Sequence, residues 1–549
     1  MSKTTLATER MLFCLHASMK SSRWRLVAAA ATLAAALGCS RSAPPASGKD
    51  TLVRHLDGNP ATLDPITNNE ELGLFVIEML FRPLVAIDRE RHFVPGLALS
   101  WKVSEDGRTY AFALDPKARW EDGTAVTSDD VKFTLELILD PKAHALNWRP
   151  ALEDLDKVET PDAATARVTF RKPYAERLLA FNLPIVSAAA YRRAPKATDR
   201  SPVGSGPYRL ESWETNQKLT LARRKDAPEG AASFHRIVFR IIPEPATRFQ
   251  AGARGELDEF KVTRDQRAPA EKMPGFLERN RILKVPHFSE VFVLWSCRNP
   301  LLADPRVRRA LSMAWPRAET AKRLYPPDGA SLVSGPYPAG LAENASEVAP
   351  PPYDPAAAGR LLDEAGLKLG ADGVRRKGGK QASLELLYAA GRPMDGNLAA
   401  ILRSAYAKVG VELVERPLEW AVYTQRGDAG EFDAQLAARI FQPPNLDPYS
   451  FFHSSQIPPS GGNSGFYANS AADRVMEAAQ RELDDGKRLA LYREVHRLLA
   501  ADPPADFLWS AEQFWAVSKS VEGVEVSPMG LFHFVPGPLG WRPARPASR

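Results

Sequence analysis

The stretch LELLYAAGRPMDGNLAAILRSAYAKVGVELV, residues 384–414, decides the fold class. Residues 384–388 form an apolar run of the kind found in buried strands. Residues 398–409 then place apolar side chains at helical spacing, and Gly410 stops the helix. Val411-Glu412-Leu413-Val414 reads as a second strand. Strand, helix and strand in this order form a β-α-β unit, whose strands lie parallel and whose crossover is right-handed. The body of the chain is therefore mixed α/β.

The flanking sequence extends this reading. Thr51-Leu-Val-Arg-His-Leu alternates as a first strand, and Leu63-Asp64-Pro65 breaks it. Residues 72–80 read as a helix. Tyr110-Ala-Phe-Ala-Leu114 reads as a strand ended by Asp115-Pro116. Thr127 or Ser128 caps a helix through Val131, Phe133, Leu135 and Leu139, which Pro141 stops. Residues 236–242 form a continuous apolar strand expected to be buried on both faces. Residues 472–499 keep helical spacing with a break at Asp484-Asp485-Gly486. Gly204-Ser205-Gly206-Pro207 runs into a strand at Tyr208. A phosphate cradle needs a helix N-terminus, so this Gly-rich run reads as a tight turn.

The chain has 549 residues, enough for two or three packing units. Hydrophobic residues make up 44% and charged residues 25%, which excludes a disordered, fibrous or polytopic membrane protein. The net charge is +6. Lys3, Arg10, Lys20, Arg23 and Arg25 against Glu9 give residues 1–38 most of that excess, leaving 67 basic and 65 acidic side chains elsewhere. Basic residues form no stripe with interleaved aromatics, so no nucleic-acid partner is expected.

Residues 20–25 are basic and residues 26–37 are a 12-residue apolar run, too short to span a bilayer and of signal-peptide length. Residues 1–38 are expected to be a signal peptide, starting at Met1, Met11 or Met19. The stretch Ala36-Leu37-Gly38-Cys39 resembles a bacterial lipobox, which implies lipid attachment at Cys39; an ordinary signal peptide is the alternative. Residues 39–49, rich in Ser, Pro and Ala, read as a flexible tether. The cysteines are Cys14, Cys39 and Cys297, so processing would leave Cys297 without a disulfide partner.

Catalytic signatures are absent. The sequence has no GxxxxGK[ST], HExxH, CxxC or Gly-x-Ser-x-Gly pattern, and its nine His residues show no ligand spacing. No catalytic residue, cofactor or metal is expected. The adjacent carboxylates Glu121-Asp122 and Asp129-Asp130 read as a turn and a helix N-terminus.

A series of segments follows one another along the chain: Leu63-Asp64-Pro65, Val94-Pro95-Gly96-Leu97-Ala98, Trp101 with Asp106-Gly107, and Trp120-Glu-Asp122-Gly123. Asp129-Asp130-Val-Lys-Phe133, Pro202-Val-Gly204-Ser-Gly206-Pro207-Tyr208, Asp304-Pro-Arg306-Val-Arg308, Glu419-Trp420, Asn445-Leu-Asp447-Pro448 and Tyr467-Ala-Asn469 come after them. In this order they resemble the family-5 extracellular solute-binding proteins of ABC importers, the dipeptide- and oligopeptide-binding group. The resemblance covers residues 51 to about 520. It implies an α/β, two-lobed fold of periplasmic-binding-protein type II, with an extra subdomain in the first lobe. Residues 50–90, 200–285 and 510–549 would build lobe I, residues 91–199 the extra subdomain, and residues 286–509 lobe II. It further implies a periplasmic or cell-surface monomer that is not an enzyme. By lobe closure it would capture a peptide-like solute for an ABC permease and ATPase. An enzyme such as a hydrolase, or a sensor, on the same scaffold is the competing reading.

The candidate pocket follows the strand read as Phe432-Asp-Ala-Gln-Leu-Ala-Ala438. Its residues are Arg439, Phe441, Asn445 and Asp447, with Trp420 from the preceding segment. Arg439 would pair with an anionic group or end in solvent, and Trp420 and Phe441 would stack on the solute or pack in the core. In peptide-binding relatives an Asp in this loop pairs with the peptide α-ammonium. Here that place falls on Pro444, which cannot pair with a cation, unless Asp447 or Asp433 substitutes.

Overall fold

Thr51–Leu56 lies inside a seven-stranded sheet of order Asn280–Val285, Gln513–Ser518, Glu259–Val262, Thr51–Leu56, Arg236–Ile241, Lys218–Arg223 and Tyr208–Glu214. The computed structural model describes residues 50–143, 145, 148–227, 230–286, 289–326, 329–440, 446–510 and 512–544. Thr51–Leu56 pairs in parallel with Arg236–Ile241, from Thr51 opposite Arg236 to Leu56 opposite Ile241. Gln513–Ser518 returns from far along the chain and lies antiparallel between Glu259–Val262 and Asn280–Val285. The strand from Arg236 alternates instead of being buried on both faces. Ile237, Phe239 and Ile241 enter the core, while Val238 and Arg240 lie half-buried on the other face, where Arg240 meets Glu256 at 2.9 Å.

A four-stranded antiparallel sheet, ordered Ala98–Val103, Thr109–Leu114, Thr165–Phe170 and Leu155–Asp162, forms a subdomain beside this lobe. The helix Ser128–Leu139 packs on it, and Asp130 Oδ2 secures its start by accepting from the Thr127 N–H at 2.9 Å. Tyr110, Phe112, Phe170 and Phe181 cluster in one apolar core with Leu52, Leu219 and Phe239 of the larger sheet. Subdomain and first lobe therefore share a core. Gly204 and Gly206 have a different cause from the expected tight turn. A Cβ on Gly204 would stand 2.0 Å from the Leu80 carbonyl oxygen, and one on Gly206 2.5 Å from that of Met79. Only glycine lets the backbones approach so closely.

The second large sheet has the order Ser331–Leu332, Ala505–Ser510, Ser289–Trp295, Ala434–Ile440, Ser383–Ala389 and Glu412–Leu418. Ser383–Ala389 and Glu412–Leu418 are parallel, and the helix Pro393–Lys408 connects them. The helix starts ahead of its apolar periodicity because Pro393 suits a first turn. It ends before Gly410, whose φ of 78° and whose contacts, a Cβ there lying 2.8 Å from Leu369 Cδ1, require glycine. The two C-terminal helices, Ser470–Arg481 and Asp485–Ala501, part at Asp484, whose side chain accepts from the Lys487 N–H at 2.8 Å. This lobe has its own core, including Trp295, Trp315, Leu386, Leu402 and Tyr406. Buried Arg317 and Trp315 both donate to Asp506, at 2.8 and 2.9 Å. Arg308 is buried against the carbonyl of Pro503, as a packing residue near the start of its helix.

Two crossings join the lobes. Asn280–Val285 of the first sheet leads to Ser289–Trp295 of the second, and Ala505–Ser510 of the second leads to Gln513–Ser518 of the first. Glu512 ties the crossings together: it meets Lys284 at 2.9 Å and accepts from Ser331 Oγ at 2.8 Å. Two short crossings of opposite chain direction between separate cores are the geometry of a hinge. Among the described residues no helix is long and apolar enough to cross a membrane.

Candidate functional site

Ser383–Ala389, Glu412–Leu418 and Ala434–Ile440 run in the same direction, so their C-terminal ends share one edge of the second lobe. Such edges are where α/β sheets hold ligands. Trp420 stands two residues past the second of these strands. Glu419 Oε2 accepts from the Ala421 N–H at 2.9 Å and starts the helix Trp420–Asp428. The Trp420 ring is 52% exposed, large for an indole not held in a core. It stacks on Tyr423 at 5.5 Å between centroids, and the Arg392 guanidinium lies 4.6 Å from its centroid. Arg392 is exposed just past the end of Ser383–Ala389. An exposed indole with an exposed guanidinium over its ring suits a flat or anionic solute group. Sequence reasoning missed Arg392. Its signal was its position between a strand end and the helix-starting Pro393.

Arg439 is placed differently from the sequence expectation. It is buried near the end of Ala434–Ile440, directly opposite Glu290 of the neighbouring strand. Its Nη2 donates to Glu290 Oε2 at 3.2 Å and to the Pro336 carbonyl at 2.8 Å, and its guanidinium packs over Phe451 and Phe452. The strand end is thus not solvated, and the guanidinium is held by hydrogen bonds inside the lobe. Burial pushes the Glu290 carboxyl up to about 8 against the pull of Arg439. Glu290 Oε1 has no hydrogen-bond partner among the described residues.

Asp447 is also committed. Its carboxylate accepts from Gln480 Nε2 at 2.7 Å, the Tyr449 N–H at 3.0 Å and Tyr174 Oη at 3.2 Å. Burial raises this carboxyl, and those donors oppose the rise. Tyr174 belongs to the subdomain, so the contact crosses between the lobes. Asp433 lies at the start of Ala434–Ile440, the edge opposite the strand ends. It accepts from Asn299 Nδ2 at 2.7 Å and the Glu385 N–H at 2.9 Å, so it is not an ammonium partner in the cleft. Phe441, Pro444, Asn445 and Cys39 lie outside the described residues. Cys297 is a free, partly buried cysteine whose thiol burial pushes up to about 11. Among the described residues no group of three His, Cys, Asp or Glu side chains is arranged to hold a metal.

Two α/β lobes with separate cores, joined by a double crossing, define a two-lobed binding protein of periplasmic type. Residues 92–462 match the family described as bacterial extracellular solute-binding proteins, family 5. The chain belongs to that family and is a solute-binding protein, not an enzyme. It is 30% identical over 518 residues to Protein XP55 of Streptomyces lividans, covering 90% of this chain and 91% of that one. It is 24% identical to the oligopeptide-binding protein AppA of Bacillus subtilis, covering 88% and 90%. The fold is similar to that of HbpA2 from Haemophilus parasuis, with a TM-score of 0.80 and 22% identity, over 90% of this chain and all of that one.

Proposed function

We propose that this chain is the lipid-anchored receptor of an ABC importer, and that its solute is peptide-like and lacks a free α-ammonium. The signal segment and Cys39 would place it, as a monomer, outside the inner membrane. Residues 50–90, 200–285 and 510–549 with the 91–199 subdomain would act as one body, and residues 286–509 as the other. The solute would lie between them against Trp420 and Arg392, Phe441 and Asn445 would join in binding it, and closure would present it to the permease. Arg439 and Asp447 would support the site rather than hold the solute's charges.

The observation that carries the specificity is the fate of the carboxylates. Asp447 is spent on Tyr174, Gln480 and Tyr449, Asp433 is at the opposite edge, and Pro444 stands where the resemblance to peptide-binding relatives implies the ammonium partner. An ammonium enclosed without a counter-charge costs several kcal/mol. The kinship to an oligopeptide-binding protein supports the peptide-like class. Thermal shift across a library of free-amine and N-blocked peptides, with calorimetry on hits, tests the reading. N-blocked or anionic ligands are expected to bind; tight binding of ordinary free-amine dipeptides refutes it. For the anchor, Cys39→Ala is expected to move the protein into the aqueous phase of a detergent partition, and equal membrane retention of both forms refutes lipidation.

A further inference from the structure

The seam between the subdomain and the second lobe buries more charge than packing requires. From the subdomain side come Tyr174, Glu176 and Arg91. From the second lobe come Asp447, Gln480, Arg488, Tyr492 and Glu343. Tyr492 Oη donates to Glu176 Oε1 at 3.1 Å, Arg488 Nε stands 3.9 Å from the same oxygen, and Arg91 Nη1 meets Glu343 at 2.8 Å. The Ala175 N–H donates to the Gln480 carbonyl at 2.8 Å, which fixes the register of the two surfaces. Beside them Ile87, Phe534 and Met529 pack with Tyr337, Leu341 and Tyr492 in an apolar cluster that also spans the seam. Glu176 is buried and its Oε2 has no hydrogen-bond partner among the described residues. The Tyr337 hydroxyl, also without one, is buried nearby.

We propose that Glu176, set against Asp447 across this seam, is a proton-operated latch: uptake of a proton by the pair favours the closed arrangement of the lobes, and its loss favours opening. The proposal rests on the reading of the chain as a closing receptor. Opening separates the subdomain, which shares its core with the first lobe, from the second lobe, and returns both carboxyls to water. In the closed seam one proton on the pair removes the repulsion between two enclosed like charges.

The titratable and charged groups that face Glu176 are Asp447, Arg488, Tyr492 and Arg91. Asp447 in turn faces Tyr174 and His453, with Gln480 and the Tyr449 N–H as neutral donors. Tyr174 also faces Arg177, and Tyr337 faces Glu343 and Arg439. Burial first, then Asp447, hold the Glu176 carboxyl at about 7 against an ordinary value of 4.5. The sign follows. Between these two values the closed form binds a proton that the open form does not, so acid favours closure. The open-to-closed ratio should rise by up to about tenfold per pH unit between pH 5 and 7.

The test uses the mature chain without solute. Spin labels at Lys142→Cys in the subdomain and Arg360→Cys in the second lobe, on a Cys297→Ser background, report the separation of the bodies from pH 5 to 8. The expected result is a short distance at low pH that gives way to a longer one with a midpoint near neutrality. Glu176→Gln, a mimic of the protonated form, should stay short throughout. Asp447→Asn, which removes the like charge, should move the midpoint to lower pH, and it keeps the test decisive if Glu176→Gln does not fold. A wild-type distance that ignores pH, or an Asp447→Asn midpoint equal to wild type, overturns the latch. Solute binding at fixed pH is measured separately. A chain that binds solute with a flat distance profile therefore loses the latch and retains the receptor reading.

Discussion

Acidification provides a sharp test of the second lobe through His496. This side chain is fully buried. Its Nδ1 accepts from the Ala345 N–H at 3.2 Å, so Nε2 carries the proton and donates it to Ser334 Oγ at 3.0 Å. Gly335 lies against the ring, where a Cβ would stand 2.5 Å away. Protonation would turn the acceptor Nδ1 into a donor facing another donor. Burial accordingly lowers the imidazole from its ordinary 6.5 to about 4. The unfolded chain then binds the proton more readily, so this contribution is complete above pH 6.5 and is lost as pH falls toward 4. The displacement of about 2.5 pH units makes the loss roughly 2–3 kcal/mol at pH 4.5. Urea unfolding of wild type and His496→Asn at pH 7 and pH 4.5 isolates it from the carboxylates. His496→Asn is expected to be less stable at pH 7 but to lose roughly 2–3 kcal/mol less on acidification. Equal losses in the two proteins would refute the reasoning.

Other expectations are equally concrete. Trp420→Ala and Arg392→Ala should each weaken a verified anionic or planar solute by at least about tenfold in calorimetry, with unchanged unfolding midpoints, since both side chains are exposed in the absence of solute. Unchanged affinity in both would move the solute away from this edge. Arg317→Ala leaves Asp506 buried without its cation and should cost about 3–5 kcal/mol in chemical unfolding, whereas a loss under about 1 kcal/mol would contradict the pairing. Cys297, its thiol held up to about 11, should react slowly with a thiol reagent at pH 8 until the chain unfolds. Rapid labelling of native protein would show that the thiol is open to solvent.

The sequence made local structure legible wherever period and punctuation agree. The β-α-β unit over residues 384–414 was readable because apolar spacing changes at Pro393 and stops at Gly410, which the backbone needs at positive φ. The break between the last two helices was readable from Asp484. Sheet order was not, because Gln513–Ser518 inserts between strands more than 200 residues earlier, and no periodic signal encodes such a partner. The glycines at 204 and 206 were seen, but their cause, close approach to residues 79 and 80, is tertiary. At the site, Trp420 stood out by following a strand end. The fates of Arg439 and Asp447 were hidden because Glu290 lies 149 residues away and Tyr174 273 residues away. A charged residue in a cleft loop looks free until its distant counterpart is placed.

Closure itself is the central claim, and small-angle scattering at pH 8, above the midpoint expected of the latch, with a solute whose binding calorimetry has verified, measures it most directly. The expected result is a radius of gyration that falls on saturation, with Trp420→Ala contracting only at higher solute concentration. A radius unchanged at full occupancy would contradict capture by lobe closure.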